Sequence, residues 1–176
     1  IIIEKSWTGA GASGRNGGFC NNSLTHGFVN GYARFKDEMA TIEKLGRANI
    51  DAIESTIKEF GIECDWRRTG ELRVADAEWQ MPQLHEEAKL RNQYGDHVEV
   101  LSQEQTYARV KSPSYKGALW DPDGTALVDP ARLVWGLERA CLKLGVKIYE
   151  NSEVTSLERT RDGMIVHAPY GSIYAQ

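Results

Sequence analysis

Cysteine is scarce in this chain: Cys20, Cys64 and Cys141 are its only three among 176 residues. An odd number at wide spacing builds neither a disulfide framework nor a zinc site, so a reducing cytoplasm is the default compartment. Long apolar runs are missing as well. No stretch approaches the roughly 18 residues of a membrane span, and no signal peptide is legible. Charge of one sign does not accumulate either. The 21 Lys and Arg and 25 Asp and Glu are interspersed, giving a net charge of -4 and no basic field for nucleic acid. His26, His85, His97 and His167 show no metal-ligand spacing, no Ser-His-Asp arrangement is legible, and there is no internal repeat, low-complexity tract or obvious linker. At 41% hydrophobic residues, the composition is that of a soluble globular protein forming one sizeable domain or two small pieces.

What the chain does have is concentrated at its start. Ile1-Ile2-Ile3 reads as a buried strand with Glu4 at its carboxyl end, and after Lys5-Ser6-Trp7-Thr8 comes Gly9-Ala10-Gly11-Ala12-Ser13-Gly14-Arg15-Asn16-Gly17-Gly18. Ligands of open α/β sheets sit beyond the carboxyl ends of strands, where a carboxylate can accept hydrogen bonds from ribose hydroxyls. Glycines let backbone N–H groups approach a phosphate, and Ser13 and Arg15 can add donors. Gly17 and Gly18 would let the backbone lie flat against a ring system, where a Cβ would collide. The segment reads as a nucleotide-cofactor site.

Gly9, Gly11 and Gly14 also match the G-x-G-x-x-G fingerprint letter for letter. That pattern has physical meaning only when it leaves a strand directly and opens a helix. Here Glu4 to Thr8 intervene, Arg15-Asn16-Gly17-Gly18 is a poor helix start, and no strand-ending acid follows about twenty residues on. Ile1 to Glu4 is better read as a later strand of the sheet.

Gly11 to Gly18 after a strand ending in Glu4 resembles the FAD-dependent oxidoreductases of the D-amino acid oxidase (DAO) superfamily, particularly the γ-glutamylputrescine oxidase-like amine and amino-acid oxidoreductases. A second similar stretch runs from Asp129-Pro130-Ala131-Arg132-Leu133 through Gly145-Val146-Lys147-Ile148 to Glu150 and Val154. The resemblance implies an α/β, mixed α+β fold. Residues 1–60 and 125–176 would form part of a Rossmann-like FAD-binding domain, and 61–124 part of an inserted mixed-sheet substrate domain. It implies FAD contacts from Glu4, Lys5, Ala12, Ser13, Gly14, Arg15, Asn16, Gly17 and Gly18, with the backbone of Val154 at the adenine. Family members carry a strand and fingerprint before the acid and continue well beyond Gln176, so the chain is expected to be an interior piece of a larger enzyme. Exposed strand edges would then favour self-association.

Between these motifs the punctuation is clear. Tyr32 to Phe60 has helical periodicity, with Gly46 able to loosen or break it and Gly61 as its stop. Ile62–Trp66 and Gly70–Ala75 alternate as a hairpin around 67–69. Trp79 to Tyr94 reads as a helix stopped by Gly95, then Val98–Leu101 as a strand. Ser102 and Gln105 form a capping-box pair for a helix to about Arg109. Tyr115–Trp120 is a strand closed by Asp121-Pro122-Asp123-Gly124. Asp129 and Pro130 open a helix that Gly145 ends. Strands are expected at 146–149, 153–158, 164–168 and 172–175, with Asp162-Gly163 as a hairpin turn.

The function implied by the resemblance is oxidation of an amine or amino acid to an imine by hydride transfer to FAD, with the cofactor carrying the hard step. No catalytic side chain is legible. His26 lies close enough behind the loop to approach an active site, Cys20 reads as a small core residue, and Trp66 and Trp120 are the tryptophans placed to line a pocket. A non-enzymatic nucleotide-binding or interaction module is the alternative.

Overall fold

Helices and strands interleave along the whole chain, which the computed structural model describes from residue 1 to residue 176. In order they are β1 Ile2–Ile3, β2 Phe19–Asn21, α1 Phe28–Arg34, α2 Met39–Phe60, β3 Arg67–Arg68, β4 Glu71–Ala75, α3 Met81–Gln93, β5 Glu99–Ser102, α4 Gln103–Arg109, β6 Gly117–Asp121, β7 Thr125–Leu127, α5 Pro130–Lys143, β8 Ile148–Tyr149, β9 Ser156–Arg159, β10 Met164–Ala168 and β11 Gly171–Ala175. The fold is mixed α/β, and no helix is long and apolar enough to cross a membrane.

The chain forms two compact units. The first joins Ile1–Gly18, Ile57–Cys64 and Asp129–Gln176; the second joins Phe19–Thr56 and Asp65–Val128. Residues 19–56 thus group with the middle of the chain, whereas the sequence partition set them with 1–18 and 125–176.

In the first unit, β1 and β8 pair in parallel, Ile2 opposite Ile148 and Ile3 opposite Tyr149. Helix α5 starts where Asp129 accepts the Arg132 N–H at 3.0 Å, an N-cap that satisfies one of the donors a helix start leaves unpaired. It ends before Gly145, whose φ of +84° a side chain would resist. The buried face of α5 presents Gly136 and Ala140, and Ile62 fills the space that a Cβ on Gly136 would take. β9, β10 and β11 form an antiparallel meander.

In the second unit, β4 and β5 flank β6, and α3 covers that sheet through Leu84 and Ala88 against Ala75, Val98 and Leu119. β2 and β3 flank β7. The capping box at Ser102 forms as read, with Gln105 N–H on the Ser102 hydroxyl at 3.2 Å and the Gln105 side chain on the Ser102 N–H at 2.8 Å.

Three local expectations are corrected. Ile62–Trp66 forms no hairpin with 70–75: β3 pairs with β7, β4 pairs with β6, and the Cys64 carbonyl accepts the Asp129 N–H instead. The helical stretch begins at Phe28 and breaks at Phe35, with φ -133° and ψ 41°, whereas Gly46 leaves α2 unbroken. In the β9–β10 connection Thr160 N–H reaches the Gly163 carbonyl at 2.9 Å, so the two residues at the tip are Arg161 and Asp162, one position before the expected Asp162-Gly163.

Candidate cofactor-binding site

A parallel strand pair delivers both carboxyl ends to the same side, and here that side carries Glu4 and Glu150. The Glu4 N–H reaches the Tyr149 carbonyl at 2.9 Å, and the Ser152 N–H returns to the Glu4 carbonyl at 2.8 Å. The half-buried Glu4 carboxylate accepts the Ser6 N–H at 2.9 Å through one oxygen. Its other oxygen keeps capacity for a hydroxyl donor. Lys5 lies fully on the surface and pairs with Glu153 at 2.6 Å, a contact screened by water.

Thr8 is the hinge of the following turn. Its N–H binds Glu150 at 2.6 Å, its hydroxyl binds Glu138 at 3.1 Å, and its carbonyl accepts the Trp135 indole N–H at 3.2 Å. Gly9, with φ +84°, then lies against Val134 and Trp135 of α5. None of these anchors was legible in the sequence, because Trp135, Glu138 and Glu150 reach Thr8 only through folding.

The glycine-rich stretch forms a single 3₁₀ turn at Ala12–Gly14, with Gly14 N–H to Gly11 and Arg15 N–H to Ala12 at 3.3 and 3.2 Å. The N–H groups of Gly11, Ala12 and Ser13 find no acceptor within the chain. They are the unpaired donors that a helical start leaves, and an anion can satisfy them. Gly14 presses onto the Gly9 carbonyl so tightly that no Cβ fits. Asn16 locks the turn: its amide donates to the Ala12 and Ser13 carbonyls at 3.0 and 3.1 Å, and its side-chain oxygen accepts the Gly18 N–H at 2.8 Å. Gly18 is buried with φ +72°, whereas Gly17 is exposed. The Arg15 guanidinium donates to the Ala10 carbonyl and keeps further N–H groups at the surface. No helix follows the loop; β2 does, so the literal G-x-G-x-x-G match is not a dinucleotide fingerprint.

Val154 lies exposed, and neither its N–H nor its carbonyl is used within the chain. The remaining singled-out residues belong to the second unit. Cys20 is half-buried in β2, and burial pushes its thiol pKa up, which suits packing rather than reactivity. His26 is exposed with φ +56°. Trp120 lies under the Arg109 guanidinium, 4.4 Å from its ring centre, and the buried Trp66 indole N–H lacks a partner.

Orphan N–H groups on a glycine turn, an acid at the carboxyl end of a parallel strand and free backbone groups near the neighbouring strand's end fit a nucleotide cofactor. They define the class: an α/β nucleotide-cofactor protein. Residues 1–175 match the DAO family, FAD dependent oxidoreductase, and the chain belongs to that family. It is 33% identical over 175 residues to γ-glutamylputrescine oxidoreductase of Escherichia coli strain K12, covering 94% of this chain and 39% of that protein. It is 30% identical over 161 residues to the probable oxidoreductase OrdL of Haemophilus influenzae, covering 89% and 37%. The chain therefore spans about two fifths of these curated relatives. In fold it resembles glycine oxidase from Geobacillus kaustophilus, with TM-score 0.80 and 21% identity over 99% of this chain and 46% of that one. It also resembles L-amino acid deaminase from Proteus myxofaciens, with TM-score 0.76 and 19% identity over 98% and 37%. The family's cofactor is FAD.

Proposed function

We propose that this chain supplies the ribose- and pyrophosphate-binding elements of an FAD-dependent oxidoreductase that oxidises an amine or amino acid to an imine. The observation that carries this reading is the Ala12–Gly14 turn, at whose start the N–H groups of Gly11, Ala12 and Ser13 lack acceptors, following Glu4 on the parallel β1–β8 pair. Glu4 accepts from the ribose hydroxyls. The N–H groups of Gly11, Ala12 and Ser13 and the spare Arg15 N–H groups donate to phosphate oxygens, while Asn16 holds the turn in shape. Gly17 and Gly18 let the backbone lie against the ring system, and Val154 offers its backbone pair to the adenine edge. Lys5 follows Glu4 at the edge of these contacts. Bound FAD supplies the two-electron acceptor for the C–H bond beside the amine nitrogen.

The amine or amino-acid class is supported by the names of the relatives, and the second unit is assigned the covering of the substrate. Titration of apoprotein with FAD, followed by flavin fluorescence, tests the site. Glu4→Ala and Arg15→Ala are each expected to weaken binding by roughly tenfold to a hundredfold, since a hydrogen bond to a charged group is worth on the order of 1.5–3 kcal/mol. Unchanged affinity in both variants would remove the assignment.

A further inference from the structure

Glu43 interrupts the apolar face of α2. Met39, Glu43, Gly46 and Ile50 recur at helical spacing along one side, and all four are buried. Glu43 is 4% exposed, receives no hydrogen bond, and pairs loosely with the Arg47 guanidinium at 3.9 Å, with Asp96, Arg91 and Asp121 also near enough to act on its charge. Arg47 is committed to Asp96 at 3.0 Å and to the Tyr94 carbonyl at 3.1 Å.

This carboxylate faces a small cavity in the second unit, about 80 Å³ in volume. The other carboxylates of the wall are already satisfied. Asp121 takes the Arg91 guanidinium and the N–H groups of Asp123 and Gly124; Glu87 takes Arg73; Glu71 takes Asn21 and Thr125. Asn22 lines the same space. Its side chain is buried, at 7% exposure, and its amide makes no hydrogen bond, although its backbone N–H is fixed to the Gly124 carbonyl at 2.9 Å. Two polar side chains thus line one cavity without a hydrogen bond from the protein to either.

The charge balance says what would satisfy them. Glu43, Glu71, Glu87, Asp96 and Asp121 stand against Arg47, Arg73 and Arg91, so two negative charges exceed the positive ones when all are ionised. One water needs about 10–15 Å³ of such space, so the cavity admits a small ion with a few waters but no amino acid. The carboxylates do not form a cluster able to chelate a metal through three or more side chains. We propose that the Asn22–Glu43 cavity binds a small monovalent cation of ammonium or potassium size, with the Asn22 side-chain oxygen and the Glu43 carboxylate as its ligands.

None of the cavity's residues is assigned a contact with FAD, so its test needs no FAD. The melting temperature of the chain is measured at pH 8 and constant ionic strength in ammonium, potassium, sodium or choline chloride; choline is too large to enter. A saturable rise of about 3–6 °C over choline is expected at tenfold excess over Kd, and the ranking of the three ions identifies the preferred one. The rise should shrink as pH falls, because burial raises the Glu43 pKa and a proton then competes with the cation for the carboxylate. Glu43→Gln should abolish it. Should that variant fail to fold, wild-type crystals grown in thallium(I) decide, with an anomalous peak expected between Asn22 and Glu43. Identical melting in choline and in every small cation, a rise that survives in Glu43→Gln, or only water in the thallium crystals would overturn the proposal.

Discussion

Replacing Gly46 by alanine sets two effects of opposite sign against each other. In a helix interior alanine is favoured over glycine by roughly 1 kcal/mol, so propensity alone makes Gly46→Ala stabilising. Packing opposes this. A Cβ on Gly46 would lie 3.0 Å from the Asn22 carbonyl carbon and closer still to its oxygen. That carbonyl cannot yield easily. The Asn22 N–H is bonded to Gly124, and its neighbour Asn21 pairs with Thr125 in the β2–β7 ladder. Overpacking costs about 1–3 kcal/mol, and a clash with backbone rather than with a movable side chain puts this site at the upper end, so after the propensity gain the net expectation is destabilisation by about 2 kcal/mol. For a chain of this size each kcal/mol lowers Tm by roughly 2–4 °C. Urea unfolding followed by circular dichroism reads the effect directly. Gly136→Ala is the internal comparison, because the group in its way is the Ile62 side chain, which can move. It should cost less than Gly46→Ala. A Gly46→Ala protein as stable as the parent would mean that α2 does not rest on Asn22 as described.

Asp129→Ala removes the α5 N-cap and should lower stability by about 1 kcal/mol, while Asp129→Asn keeps most of it; thermal melts separate the two. Arg91→Met leaves the carboxylates of Asp96 and Asp121 without their shared cation and should cost on the order of 3–5 kcal/mol, measurable as a large fall in the urea midpoint. Burial, reinforced by Asp96, raises the Glu43 pKa above its ordinary 4.5. The folded state therefore holds this proton more tightly than the unfolded one, and the stability it confers is present below about pH 4.5 and lost as pH rises through the folded value. In choline buffer, Glu43→Gln should gain on the parent with rising pH and show no gain near pH 4; a constant difference across pH would contradict this.

The sequence was most legible where a local chemical rule decides the backbone. Ser102 with Gln105, Asp129 with Pro130, and the stops at Gly95 and Gly145 need no distant partner, and each stands in the structure as read. The rule failed where alternation was mistaken for pairing. Ile62 and Cys64 are buried at alternate positions as in a strand, yet the neighbouring arginines Arg67 and Arg68 pair with Leu127 and Ala126, far along the chain. Gly46 was read as a weak point when it is a point of close approach, a distinction that only Asn22 reveals. At the cofactor loop the residue types were visible, but not that Arg15 folds onto Ala10 or that Thr8 anchors the turn. The polar cavity left no sequence pattern, since Asn22, Glu43, Glu71 and Asp121 come from four separate elements or loops.

The pairing of β1 with β8 has a consequence for how the chain is made. Ile2 finds Ile148 only after nearly every residue between them has been synthesised, and closing so long a loop costs on the order of 4 kcal/mol. The residues of the second unit end at Val128, ahead of α5 and β8 in the chain, so they leave the ribosome before the strand that β1 pairs with. The turn at Ala12–Gly14 shares that delay, because Val134, Trp135 and Glu138 emerge with α5. The geometry of the glycine turn is therefore fixed by residues more than a hundred positions downstream of it, and the turn takes its final shape only after α5 has been made.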